Sequence, residues 1–170
     1  RDAVTFDTAS SELTVRREGD LLSMDFPARP PSPCEMREDL VAGLGPRPLE
    51  MLASRDHMAV YGSEQEVRRL QPDMEALARV EHFAVIATAP GREVDFVSRF
   101  FAPRAGIPED PVTGSAHCTL IPYWARRLGK PRMHALQVSQ RGGELWCELR
   151  GDRVVISGRA VRYLEGLIHL

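Results

Sequence analysis

Three features of this 170-residue sequence predict an α+β fold in which a mostly antiparallel sheet wraps around a central helix. Short stretches with alternating apolar residues occupy both ends of the chain. One helical run, residues 115–128, is apolar over most of its surface, which suits a helix enclosed by sheet. The elements follow one another as strands, short helices, strands, one long helix and strands, without the regular alternation that builds a parallel sheet.

In chain order, Val4 and Phe6, then Leu13 and Val15, then Leu22, Met24 and Phe26 alternate with mostly polar neighbours, so residues 3–26 read as strands. Glu18-Gly19-Asp20 reads as a hairpin turn. Four prolines between Pro27 and Pro33 stop the strand and mark the best domain boundary. A short helix is predicted from Met36 to Leu44, ended by Gly43, Gly45 and Pro46. Strands follow at Leu49–Ala53 and His57–Tyr61. Ser63 and Glu66 have capping-box spacing for a helix to Leu70, and Pro72-Asp73 opens another through Arg79. Phe83–Ala89 is apolar except for Thr88, as in a strand covered on both faces. Gly91 breaks it, and an alternating strand from Val94 to Phe101 feeds a loop. In the helix beyond, Leu120, Ile121, Trp124 and Leu128 fall at helical spacing, and Gly129-Lys130-Pro131 is the stop. Pro122 should bend this helix, since it removes one backbone donor. Strands are predicted at Ala135–Gln140, Leu145–Leu149 and Val154–Gly158, with one or two more over 159–170.

Composition excludes several classes. The chain is 43% hydrophobic and 27% charged with a formal net charge of −2, which gives no reason to expect nucleic acid or an anionic membrane as partner. Twenty-one of the 22 basic residues are arginine, Lys130 being the exception, and they form no block. Cys34, Cys118 and Cys147 are sparse and lack CxxC spacing, which argues against a disulfide framework and against zinc and fits a reducing, cytoplasmic setting. No apolar run approaches transmembrane length. The five histidines show no metal-ligating spacing. The first residue is Arg1 and a strand-like run begins almost at once, as in a piece of a longer protein.

The chemistry concentrates in Gly106–Leu120. Pro108 and Pro111 fix φ and push Ile107 and Asp110 toward extended geometry. Gly114 lets a ligand approach the backbone, and Thr113 or Ser115 can cap the helix. The first turn of a helix offers unsatisfied N–H groups and partial positive charge, a receptor for carboxylate or phosphate. Asp110, just upstream, is placed to exchange a proton with the bound molecule. The same residues also describe an ordinary capped loop. Asp110, Ser115 and His117 lie too close in sequence for a catalytic triad. His117 reads as a helix-face residue and Cys118 as core. Phe96, Phe100, Tyr123 and Trp124 could line a ring pocket but fit a core better, and Arg99 and Arg141 fit solvated surface better than carboxylate binding.

Val94–Arg99, Phe101-Ala102-Pro103 and Gly106–Cys118, followed by Pro122-Tyr123-Trp124, Gln137-Val138-Ser139, Arg141-Gly142-Gly143 and Gly158-Arg159-Ala160, resemble the second half of the phenazine-biosynthesis isomerase (PhzF-like) family. Phe6-Asp7-Thr8, Leu13-Thr14-Val15 and Met24–Ala28 resemble the end of that family's first half. The resemblance implies a two-domain fold shared with diaminopimelate epimerase, each domain a curled sheet around a helix, with the active site between them. It implies proton movement at carbon in a small carboxylic acid, with no metal or organic cofactor. It casts Asp110 as the acid–base or orienting carboxylate, and Thr113, Gly114, Ser115 and Ala116 as substrate-binding residues. On this basis residues 1–33 are the terminal strands of an otherwise missing first domain plus linker, 34–158 the second domain, and 159–170 a terminal strand or strands returning toward the first. The family's catalytic glutamate in a Ser-Glu-Thr/Ser setting and its histidine before Pro-Thr have no true counterpart; Glu12 and Glu64 match only superficially. The expected partner is therefore the missing N-terminal half or a second chain, with a homodimer also in keeping, and the first strands are expected to lack sheet partners and expose an edge. Two other classes remain: a thiol-based racemase or epimerase on the same fold, for which Glu109–Ala116 supplies no cysteine, and a non-catalytic half that binds a small anion.

Overall fold

A computed structural model of the chain describes residues 2–9 and 12–167. Eleven strands form one sheet in the order β1-β2-β3-β11-β10-β9-β8-β7-β6-β5-β4. The strands are β1 (Ala3–Asp7), β2 (Glu12–Glu18), β3 (Leu21–Pro27), β4 (Ser32–Pro33), β5 (Glu50–Ala53), β6 (His57–Val60), β7 (Val85–Pro90), β8 (Phe96–Phe101), β9 (Arg132–Gln137), β10 (Gly143–Arg150) and β11 (Arg153–Gly158). The helices are α1 (Glu38–Leu44), α2 (Glu64–Arg69), α3 (Met74–Ala78) and α4 (Gly114–Leu128). All neighbouring strands run antiparallel except β6 with β7 and β8 with β9. Each parallel pair is joined by a long crossover that carries helix, because only such a crossover returns a chain to the same end of a sheet. α2 and α3 lie in the first crossover and α4 in the second. The expected α+β class, with few helices and a mostly antiparallel sheet, is the one found.

Strands β6, β7 and β8 are buried on both faces. Alternate residues Met58, Val60, Ile86, Phe96 and Phe100 join α4 in one core, while Ala59, Tyr61, Val85, Val97 and Phe101 join the layer of α1, α2 and α3 in the other. The period of two along a strand makes this division. It also explains why Phe83–Ala89 reads as almost wholly apolar. α4 is the centre of the first core, with Leu120, Ile121 and Trp124 at most 1% exposed. Trp124 stacks on Phe96 with centroids 5.7 Å apart, and its Nε1–H donates to Thr88 Oγ1 at 2.9 Å. Thr88, the one polar residue in that run, passes its own proton to the Val97 carbonyl at 2.7 Å. The aromatic residues weighed as pocket walls are thus core.

Pro122 leaves α4 one unbroken helical assignment from Gly114 to Leu128. The N–H that Pro122 lacks would have bonded the carbonyl of Cys118. That carbonyl accepts instead from the Arg29 N–H at 2.8 Å, so the proline-rich segment after β3 is tied to the helix through the gap. Gly129, at φ 67°, ends the helix with its N–H on the Ala125 carbonyl.

Two expectations are corrected. Strands β1–β3 do not lack partners: they pair with one another, and β3 pairs along its length with β11. Only the outer edge of β1 is unpaired, because β11 offers a free side to β3. The strand or strands expected over 159–170 are absent from residues 159–167, and 168–170 lie outside the described residues. β11 already has a neighbour on each side, so the following segment cannot fold back to pair beside it. Its apolar side chains Val161, Tyr163, Leu164 and Leu167 are 82–99% exposed. No helix among the described residues is long and apolar enough to cross a membrane.

Candidate active site

The loop between β8 and α4 is held at each polar residue. A 3₁₀ turn, Pro103–Ala105, is closed by Gly106 in the left-handed region at φ 78°. The Asp110 N–H then donates to the Phe100 carbonyl at 3.0 Å, tying the loop to the end of β8. Arg99 reaches back along the same strand. Its Nε and Nη2 clamp Glu109 at 2.7 and 2.9 Å, and its Nη1 donates to the carbonyls of Leu70 and Val67 at 2.8 and 3.3 Å. Arg99 is therefore neither solvated surface nor free to meet a carboxylate ligand. Its fork is spent inside the protein.

Asp110 is half-buried, and its Oδ2 accepts from the Thr113 hydroxyl at 2.5 Å. Gln137, on β9 and 1% exposed, secures this turn from the other side. Its Oε1 accepts the Thr113 N–H at 2.8 Å, and its Nε2 donates to the Asp110 carbonyl at 2.7 Å and to Thr113 Oγ1 at 3.0 Å. Two residues on, the Ser139 hydroxyl donates to the Pro111 carbonyl at 2.9 Å and accepts from the Gly142 N–H at 3.0 Å. Gly143 completes the fit, since a Cβ there would lie 2.2 Å from Val112 Cγ2.

Helix capping differs from the expectation. Thr113 is the residue preceding α4, but its side chain makes no cap bond. Its hydroxyl is drawn backward to Asp110 because Gln137 fixes the turn there. The Ser115 hydroxyl, the other capping candidate, instead accepts from Arg55 Nη2 at 3.2 Å. The backbone N–H groups of Gly114, Ser115 and Ala116 consequently have no acceptor among the described residues. A Cβ built on Gly114 would meet no atom within 4 Å, so that stretch faces open space. Beside it runs a cleft of about 520 Å³ walled by Val112, Gly114, Gly143, Leu145, Ile156 and Gly158, with Arg141 on its lining. Asp110 and Ser115 do not line that cleft. Arg55, paired with the almost fully buried Asp56 at 2.8 Å, adds a fixed cation next to the helix start. Open amides, the helix dipole and Arg55 together make this end of α4 receptive to an anion.

His117 points inward and not along an exposed helix face. It is 0% exposed, its Nδ1–H donates to the Thr113 carbonyl at 2.8 Å, and its Nε2 has no partner. Burial pushes it down to about 4, against a smaller upward pull from the bond to Thr113. The Cys118 thiol is pushed up by burial, which outweighs the opposing pull of Arg29, Arg55 and Arg153, so it is a poor nucleophile. The three cysteines are free. Among the described residues no three of His, Cys, Asp and Glu converge as metal ligands.

The site thus brings together Asp110, Thr113, Gly114, Ser115 and Ala116, and it adds Gln137, Ser139 and Arg55. Gln137 carried a readable signal. It occupies an inward position of β9 with Met133 and Ala135, where an unexplained polar residue in an apolar register needs partners.

This architecture defines an α+β protein of the PhzF type. It is similar to the crystal structure of a phenazine biosynthesis protein of the PhzF family from Enterococcus faecalis, with a TM-score of 0.95 and 39% identity over 100% of this chain and 66% of that one. The chain belongs to the phenazine biosynthesis-like protein family, whose match runs over residues 3–166. Two relatives from Pseudomonas aeruginosa, each named an uncharacterized isomerase, are 49% and 51% identical over 97% and 99% of this chain. The chain spans 64% and 65% of their lengths, less than two thirds of each.

Proposed function

We propose that this chain carries part of an isomerase that moves a proton at carbon in a small carboxylic acid, without a metal or organic cofactor. The observation that carries the reading is the set of open N–H groups at Gly114, Ser115 and Ala116, which begin four residues after Asp110, whose carboxylate is latched to Thr113. In this reading the amides and the Ser115 hydroxyl hold the substrate's carboxylate or the enolate-like charge that develops when a neighbouring C–H is deprotonated. Asp110 takes or returns that proton, or orients the group that does. The proton leaves one carbon and is redelivered to the same carbon or to another of the conjugated system, so no oxidant or co-substrate is consumed. Thr113 serves indirectly, its N–H being committed to Gln137 and its hydroxyl hydrogen to Asp110. The isomerase names of the two Pseudomonas aeruginosa relatives support the class. A thiol-based mechanism is disfavoured by the buried, proton-retaining Cys118.

The active unit in this reading is larger than the described chain. The relatives extend well beyond the matched length, and the resemblance assigns a catalytic glutamate to the part not represented. Residues 1–33 belong with that first domain, 34–158 form the second, and 159–170 return toward the first. The complementary part lies on the same polypeptide or on a second chain, in a cytoplasmic enzyme that can dimerise.

The test is Asp110→Asn in the full natural polypeptide. Deuterium wash-in from solvent into a panel of small carboxylic acids, followed by proton NMR, finds the substrate and measures turnover. Loss of about 10²-fold or more with binding retained is expected. Unchanged wash-in by the variant refutes the mechanism.

A further inference from the structure

Gln137 touches neither the cleft nor the open amides, yet it is almost fully buried and uses both ends of its side chain on the Asp110–Thr113 turn. The orientation of its amide is dictated by chemistry. The Thr113 N–H is a donor and needs Oε1; the Asp110 carbonyl is an acceptor and needs Nε2. With Nε2 so placed, its second hydrogen meets Thr113 Oγ1 at 3.0 Å. The hydroxyl oxygen is then an acceptor toward Gln137, and its own hydrogen has one acceptor in reach, Asp110 Oδ2 at 2.5 Å. The order is Gln137 N–H to Thr113 O–H to Asp110 Oδ2, with every donor pointing the same way. Chains of this kind polarise each bond by the next.

We propose that Gln137 is a positioning residue that acts through the Thr113 hydroxyl, aiming a proton at one oxygen of Asp110 and leaving the other oxygen to face the substrate. Its role goes beyond holding the loop. A loop brace could be any residue that pairs the Thr113 N–H and the Asp110 carbonyl. This one also decides which way a neighbouring hydroxyl points. The directed donor occupies one oxygen of the carboxylate, so a proton from carbon is accepted by the other. The catalytic meaning of the relay rests on the proposed reading of Asp110, but the relay itself does not, and it can be tested without any substrate.

The experiment uses NMR at one neutral pH with ¹³C-labelled aspartate and threonine, and assigns the Asp110 carboxyl signal by its loss in Asp110→Asn. In the wild type the Thr113 hydroxyl proton is expected as a slowly exchanging signal with a cross-peak to the Asp110 carboxyl carbon. Thr113→Val removes that proton and its cross-peak, and Thr113→Ser is expected to restore both. Gln137→Met keeps the side-chain length, removes the amide and is expected to speed exchange of the hydroxyl proton by about tenfold or more, because the hydroxyl is present but no longer aimed. Near-UV circular dichroism reports whether each variant is folded. A wild type without the cross-peak, or wild-type exchange in a folded Gln137→Met, overturns the proposal, since a brace alone would change stability and leave the hydroxyl proton as it was. Should Gln137→Met fail to fold, the Thr113 cross-peak decides. If the relay holds while Asp110→Asn leaves deuterium wash-in unchanged, the isomerase reading fails and the relay stands.

Discussion

Acid should loosen this fold in a pH range well above the ordinary carboxylates, and His117 accounts for much of the effect. In the folded chain its imidazole sits at about 4, against an ordinary value of 6.5, because burial disfavours the charged ring. Its Nδ1–H is already on the Thr113 carbonyl, so protonation would add an Nε2–H with no acceptor, beside the Phe96 ring 6.0 Å away. The folded-state value lies below the unfolded one. Between them the unfolded chain binds a proton that the folded chain refuses, so stability is full above about 6.5 and falls as the pH drops toward 4. A gap of about 2.5 pH units at about 1.4 kcal/mol each sets a limit of about 3 kcal/mol, of which about 2 kcal/mol is already lost near pH 5. Urea unfolding at several pH values between about 4.5 and 7.5 measures this directly. His117→Asn keeps a donor for the Thr113 carbonyl but cannot titrate. Whatever its stability at neutral pH, its unfolding free energy should fall less steeply on acidification, by about 2 kcal/mol near pH 5. His57, almost fully buried with its ring centroid 3.6 Å from that of His82 and tilted to it, is also pushed down to about 4, by burial first and by His82 next, and supplies a second contribution in the same window. Parallel pH curves for wild type and His117→Asn would refute the reasoning.

Two further perturbations test how the loop is held. Gly143→Ala would set a methyl group 2.2 Å from Val112 Cγ2, and Val112 is β-branched and stiff, so the loop must shift at a cost of about 1–3 kcal/mol. An unchanged melting temperature would show that the contact is soft. Arg99→Ala leaves Glu109 and the carbonyls of Leu70 and Val67 without their shared partner, and a loss of about 2–4 kcal/mol is expected in denaturant unfolding. Arg99→Lys should recover less than half of it, because a point ammonium cannot span a carboxylate and two carbonyls at once. Full recovery by lysine would mean that charge alone matters there.

Much of this protein could be read from its residues in order. The alternation in β2 and β3, the two-faced apolarity of β7, and the stop at Gly129 are local properties, and local sequence sets them. The same holds for the loop's composition. Asp110 and the small residues at the start of α4 suit a loop that leaves backbone donors open, because only a few residue types permit that geometry. Nothing local at Gly143 shows that it makes room for Val112, thirty-one residues upstream.

What the sequence could not decide was the partner of each polar group. Thr113 had the right chemistry to cap α4, yet its hydroxyl went to Asp110, because Gln137 arrives from a strand 24 residues away in sequence. Pro122 announced a lost hydrogen bond but not that Arg29, far upstream, would occupy the vacated carbonyl. The tail after β11 had strand-like composition, yet β11 has a neighbour on each side and residues 159–167 form no strand. Propensity and periodicity are properties of neighbours along the chain, so they survive in the sequence. Hydrogen bonds between distant segments are settled only when the sheet order brings particular donors and acceptors to one point, and that order exists only in three dimensions.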